Sequence, residues 1–117
     1  MLAVDHLCWR SDPRREPAEE AFALARDVAE VIAVGVNCID PADAYGLVQT
    51  ASRTTGKPVV IYPNSGERWD AFAKTWLGPT TFSAQDVKDW IVGGAGLVGG
   101  CCRVGPTQIK EIRDLVA

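Results

Sequence analysis

The chain has 117 residues, 47% of them hydrophobic, and a formal net charge of −3, which bounds it to one globular domain with a modest core. Its basic residues are dispersed, so no positive stripe exists to neutralise a phosphate backbone and nucleic acid is excluded as a partner. No apolar run approaches the ~20 residues that cross a bilayer, so no membrane is expected and the chain reads as cytoplasmic.

Residues 1–16 carry no periodic pattern. Met1-Leu2-Ala3-Val4 is cut short by Asp5 and His6, and the stretch from Arg10 to Glu16 is charged and broken by Pro13, so this segment is predicted to be irregular. His6 has no neighbour to act as paired base or orienter, and Cys8 stands apart from the other thiols. The domain proper is assigned to 17–117.

From Pro17 the pattern is helical, with Ala18, Ala21, Phe22, Ala25, Val28 and Ala29 on one face and Glu19, Glu20, Arg26 and Asp27 opposite. The β-branched run Val31-Ile32-Ala33-Val34-Gly35-Val36 predicts a parallel strand buried on both faces, leaving Asn37 and Cys38 at its carboxyl end. Asp40 is placed to cap the next helix and Pro41 to occupy its first position, where a missing N–H costs nothing. Ala44, Leu47, Val48 and Ala51 form its apolar stripe, Gly56 its stop, and Val59-Val60-Ile61-Tyr62 a second buried strand.

Pro63-Asn64-Ser65-Gly66-Glu67 is a turn-rich loop at the same edge as Cys38. Trp69, Phe72 and Trp76 recur at spacings of three and four, which predicts one packed helical face. Ser83 and Asp86 predict a capped helix start, with Phe82 and Val87 as a hydrophobic staple and Ala84, Val87 and Ile91 facing inward. A short strand over Ala95–Val98 follows, then Gly99-Gly100-Cys101-Cys102-Arg103. Gly105-Pro106 opens a last helix with Ile109, Ile112 and Val116 on its buried side. Glycines surround the third strand, but no Gly-Lys-Ser/Thr follows, so a phosphate-cradling loop is not supported.

Three strand–helix pairs thus read as parallel α/β structure, and in such sheets the carboxyl ends of the strands face the ligand. Cys38, Cys101 and Cys102 are all expected at that edge. Vicinal cysteines are poor disulfide partners because their backbones lie too close, whereas a soft ion such as Zn2+ suits a cluster of thiols, and three protein ligands leave one position open for a reactant. The same residues are equally compatible with small buried side chains that only pack.

Taken together, Gly35-Val36-Asn37-Cys38, Val59-Val60-Ile61-Tyr62-Pro63-Asn64-Ser65-Gly66-Glu67 and Gly99-Gly100-Cys101-Cys102-Arg103, in that order, resemble the C-terminal part of the zinc-dependent homocysteine S-methyltransferases. The resemblance runs over about residues 17–117. It implies an α/β fold made of about three C-terminal βα units of an incomplete (β/α)8 TIM-barrel, since a whole barrel takes roughly 200 residues or more. It also implies that Cys38, Cys101 and Cys102 hold Zn2+ and that homocysteine accepts a methyl group from S-methylmethionine or S-adenosylmethionine to give methionine; Asn37 and Arg103 flank the thiols and are expected to support them. As a lone chain such a piece is expected to be incomplete, with open sheet edges before Val31 and at Leu97-Val98 and another chain supplying the missing strands. An inactive zinc-binding remnant and a thiol redox or metal-buffering module are the alternatives.

Overall fold

The computed structural model describes residues 17–117 and the backbone of residues 2–5; His6, Cys8 and the charged stretch 10–16 lie outside the described residues. The chain order is β1 (Leu2–Asp5), α1 (Ala18–Arg26), β2 (Val34–Asn37), α2 (Pro41–Thr55), β3 (Val59–Tyr62), β4 (Arg68–Asp70), β5 (Thr75–Leu77), α3 (Asp86–Gly93), β6 (Ala95–Val98) and α4 (Pro106–Val116). β1, β2, β3 and β6 form one parallel sheet in that spatial order, and β4 and β5 form a separate antiparallel pair.

The sheet therefore has four strands where the sequence pattern predicts three. Leu2–Asp5 was expected to be irregular, yet it pairs residue for residue with Val34–Asn37, which also covers the edge predicted to be open before Val31. Four residues carry too little pattern to identify a strand; hydrogen bonding to β2 makes this one. β6 is the outer strand on the other side, as expected, and among the described residues neither β1 nor β6 has a second neighbour.

β2 is shorter than its apolar run. The Lys57 ammonium is hydrogen-bonded to the carbonyls of Val28 and Val31, and the Val31 amide donates to Val28 O. This turn keeps Val31–Ala33 out of the sheet and leaves Ile32 78% exposed.

One apolar layer unites the sheet with its helices. Val34, Val36, Val59 and Ile61, two apart along their strands, meet Ala44, Leu47, Val48 and Ala51 of α2, Phe22 of α1 and Val87 and Trp90 of α3 in a single buried cluster. The Asp40 carboxylate accepts the Ala42 amide at 2.9 Å and Gly56 ends α2 in the left-handed region at φ 66°, as their residue types predict.

Several faces turn out differently from the periodicity. Val28 and Ala29 lie beyond the end of α1 and are exposed. In α3 Val87 faces inward as expected, but its buried companion is Trp90, which meets Phe82 edge-on at 6.0 Å, while Ile91 is 44% exposed. α3 begins at Asp86, three residues after Ser83, whose hydroxyl accepts the Gln85 amide. In α4 only Ile112 is buried; Ile109 and Val116 are open to solvent.

The Trp69–Phe72–Trp76 stripe is not helical. Asp70 Oδ1 accepts the amides of Phe72 and Ala73, and Lys74 adopts φ 54°. The chain therefore reverses, and Trp69 faces Trp76 across the hairpin with ring centroids 5.4 Å apart. Phe72, at the tip, is 99% exposed. No helix among the described residues is long and apolar enough to cross a membrane.

Candidate metal centre

Because β2, β3 and β6 run parallel, the loops that follow them leave from one edge of the sheet. Cys38 is the first residue past β2, Pro63 the first past β3, and the Gly99–Arg103 turn follows β6. Cys38 takes a left-handed backbone at φ 54° and Arg103 another at φ 67°, conformations that cost a non-glycine residue roughly 1–2 kcal/mol each. Backbone strain of this kind is concentrated at the edge where the thiols meet.

The cysteine turn is held by hydrogen bonds from the neighbouring loop. Cys101 N–H donates to Pro63 O at 2.8 Å, and Ser65 N–H donates to Cys102 O at 3.0 Å. Cys38 N–H in turn donates to Tyr62 O at 3.1 Å. Gly100 is required by close approach, since a Cβ there would lie 2.1 Å from a Val104 methyl.

The three sulfurs converge. One ligand atom from each of Cys38, Cys101 and Cys102 lies within 4.8 Å of the others, and the Cys101 and Cys102 Sγ atoms are 3.9 Å apart. All three are free thiols; Cys38 and Cys101 are half-buried and Cys102 is exposed. Asn37 Nδ2 donates to Cys38 Sγ at 3.3 Å. Burial, and then the neighbouring Cys38 and Cys102, push the Cys101 thiol up from 9.0 to about 12.

That arrangement is ill suited to carrying negative charge without a cation, since one thiolate so close to another opposes its ionisation. It is well suited to a soft ion. Sulfurs at about 2.3 Å from a tetrahedral metal stand ~3.8 Å from one another, close to the 3.9 Å between Cys101 and Cys102, so the donor set fits a thiolate-bound metal with one position left for a reactant.

Around the thiols lies a polar network that residue patterns did not reveal. Arg103 Nε and Nη2 reach the Glu67 carboxylate at 3.2 and 3.4 Å. The fully buried Ser65 donates its hydroxyl to Glu67 Oε2 at 2.9 Å and accepts the Glu67 amide at 3.2 Å. The Arg103 guanidinium, and secondarily the Ser65 hydroxyl, hold the Glu67 carboxyl below the usual carboxylate range. Asn37 thus touches a sulfur directly, whereas Arg103 is tied to Glu67. In the sequence, the turn residues at 63–67 and the place of Arg103 beside the vicinal thiols were the signals for this network, and neither shows what the loop grips.

Fold and site together define a parallel α/β protein with a three-thiol cluster at the carboxyl edge of its sheet. Residues 7–116 match the family model described as homocysteine S-methyltransferase. The chain belongs to the homocysteine S-methyltransferase family. It is 42% identical over 98 residues to selenocysteine Se-methyltransferase of Brassica oleracea var. italica, covering 80% of this chain and 28% of that protein. It is 41% identical over 98 residues to homocysteine S-methyltransferase 2 of Arabidopsis thaliana, covering 80% of this chain and 29% of the relative. Among solved structures, the metallated form of the homocysteine methyltransferase MmuM from Escherichia coli superposes with a TM-score of 0.68 at 30% identity. That match covers 86% of this chain and 30% of the other, so the parallel α/β sheet shares that protein's fold. The chain spans less than a third of the length of these relatives.

Proposed function

We propose that this chain carries the zinc-binding edge of a homocysteine S-methyltransferase, with Cys38, Cys101 and Cys102 as the metal ligands. The observation that carries the reading is the convergence of these three thiols, from two distant stretches of sequence, within 4.8 Å. Zinc bound there would act as a Lewis acid that keeps a thiol reactant ionised near neutral pH.

The protein's own contribution is placement. Asn37 orients the Cys38 sulfur through its amide hydrogen bond, and the exposed side of Cys102 keeps the cluster reachable from solvent. The reactant class is a small thiol of the homocysteine type. In the reaction its sulfur loses a proton and forms an S–CH3 bond, while the methyl–sulfur bond of a sulfonium donor such as S-methylmethionine or S-adenosylmethionine breaks, its electron pair remaining on the donor sulfur. Homocysteine so methylated is methionine. We place the reaction on a sheet completed into a (β/α)8 barrel, because the outer sides of β1 and β6 have no further strand among the described residues. A second reading, metal binding without methyl transfer, needs no more than the three converging thiols.

Elemental analysis of the purified chain tests the metal assignment. Stoichiometric zinc, lost in Cys38→Ser, Cys101→Ser and Cys102→Ser, is expected; undiminished zinc in all three variants, or none in the unsubstituted chain, overturns it. Methyl transfer from S-methylmethionine to homocysteine by this chain alone would overturn the need for further strands.

A further inference from the structure

The loop leaving β3 grips the cysteine turn almost residue by residue. Pro63 O takes the Cys101 amide and Ser65 N–H reaches Cys102 O. Between them, Asn64 Oδ1 accepts the Cys102 amide at 3.0 Å, and beyond them Glu67 holds Arg103. The same loop also reaches the other thiol-bearing segment: Asn64 N–H donates to Ile39 O at 2.9 Å, and Tyr62 O accepts the Cys38 amide. Both sources of sulfur therefore hang from residues 62–67.

Most of these contacts are made by backbone atoms and would survive any side-chain change. Asn64 and Glu67 are the two that grip the turn with side chains. Asn64 bridges directly, its amide bonded on the Cys38 side and its side-chain oxygen on the Cys102 side. Glu67 is itself braced by buried Ser65. It fixes Arg103, the left-handed residue immediately after the vicinal thiols.

We propose that Asn64 and Glu67 are positioning residues that hold the Cys101–Cys102 turn facing Cys38 before a metal enters. The inference rests on the metal reading above. Neither residue touches a sulfur; Asn64 acts through the Cys102 amide and Glu67 through Arg103. With the turn released, gathering the thiols becomes an ordering cost charged against metal binding, as when a bound conformation is not preorganised. Changes outside the ligand set typically weaken metal sites by about 10–100-fold.

The test uses the full chain and two probes. Cobalt(II) reports affinity and sulfur ligation through its sulfur-to-metal charge-transfer absorption. A trivalent arsenical, which condenses with two thiols to form two As–S bonds and release water, reports on the metal-free chain. Asn64→Ala and Glu67→Ala are expected to weaken cobalt binding by ~10–100-fold and to slow arsenical capture, while keeping the charge-transfer absorption at saturation. Asn64→Asp and Glu67→Gln, which retain acceptor oxygens, are expected to recover most of both. A purely structural role would lower the thermal midpoint of the metal-free chain and leave both readouts unmoved. Alanine variants that bind cobalt and capture arsenic like the unsubstituted chain overturn the proposal. If the unsubstituted chain itself shows no sulfur-to-cobalt absorption, the metal reading fails, and the arsenical arm still decides whether the two residues position the thiols.

Discussion

The thiol edge and the β4–β5 hairpin are built in opposite ways. At the edge, three loops separated by long stretches of chain are tied to one another: Cys38 to Tyr62, Asn64 to Ile39, Cys101 to Pro63 and Cys102 to Ser65. Among the described residues the hairpin pairs with no other strand, and it holds itself together by its own ladder and the Trp69–Trp76 contact. Its base is fastened where Ser65 O accepts the amides of Thr81 and Phe82 at 2.8 and 2.9 Å and Gly66 passes so close that a Cβ would lie 1.9 Å from Thr81 Oγ1. An isolated two-stranded hairpin is marginal in water. Long-range ties thus make geometry at the edge, while the hairpin is an excursion that leaves and rejoins the fold at one place.

If that contrast is right, the two regions should respond to change very differently. The largest effect is expected for Cys101→Ser, which should weaken metal binding by more than the ~10–100-fold typical of residues outside the ligand set. Replacing the hairpin tip by a short turn should leave affinity unchanged; metal competition titrations that move together would break the contrast. Ile61→Ala, in an inner strand beneath the edge and fully buried, should cost about 2–5 kcal/mol by urea denaturation.

Acid should loosen metal binding at the edge. Burial and its sulfur neighbours push the metal-free Cys101 thiol up to about 12, so metal entry must displace its proton. Affinity is then expected to rise with pH by roughly tenfold per unit for each proton released, and to fall as pH is lowered from about 8 to about 6. A flat profile in calorimetric titrations at several pH values would count against thiolate ligation. The smallest effect is expected for Trp69→Ala, a loss of about 0.5–1.5 kcal/mol from the aromatic pair, with metal affinity untouched.

Much of the architecture was legible because its signals are local. Asp40-Pro41 and Gly56 bracket α2 through their own backbone preferences, and the continuous apolar runs at Val34–Val36 and Val59–Ile61 mark strands of the parallel sheet. The failures have a common cause. β1 exists through its pairing with β2. Trp69 and Trp76 stand seven positions apart, which suits either a helical face or a hairpin, and Asp70 decides between them by bonding the turn amides. Ile109 and Val116 follow a helical period, but among the described residues no element covers them, so the period alone does not bury them.

By itself, the order of residues determined that thiols would stand just beyond the ends of apolar strands, since strand and turn preferences act over a few neighbouring positions. Whether those thiols meet was decided by the parallel sheet, which sets β2, β3 and β6 side by side. The grip of Asn64 and Glu67 on the cysteine turn was decided there too, because it joins positions 36 and 38 residues apart. A hydrogen bond across such a separation needs both loops already in place, and only the folded sheet provides that.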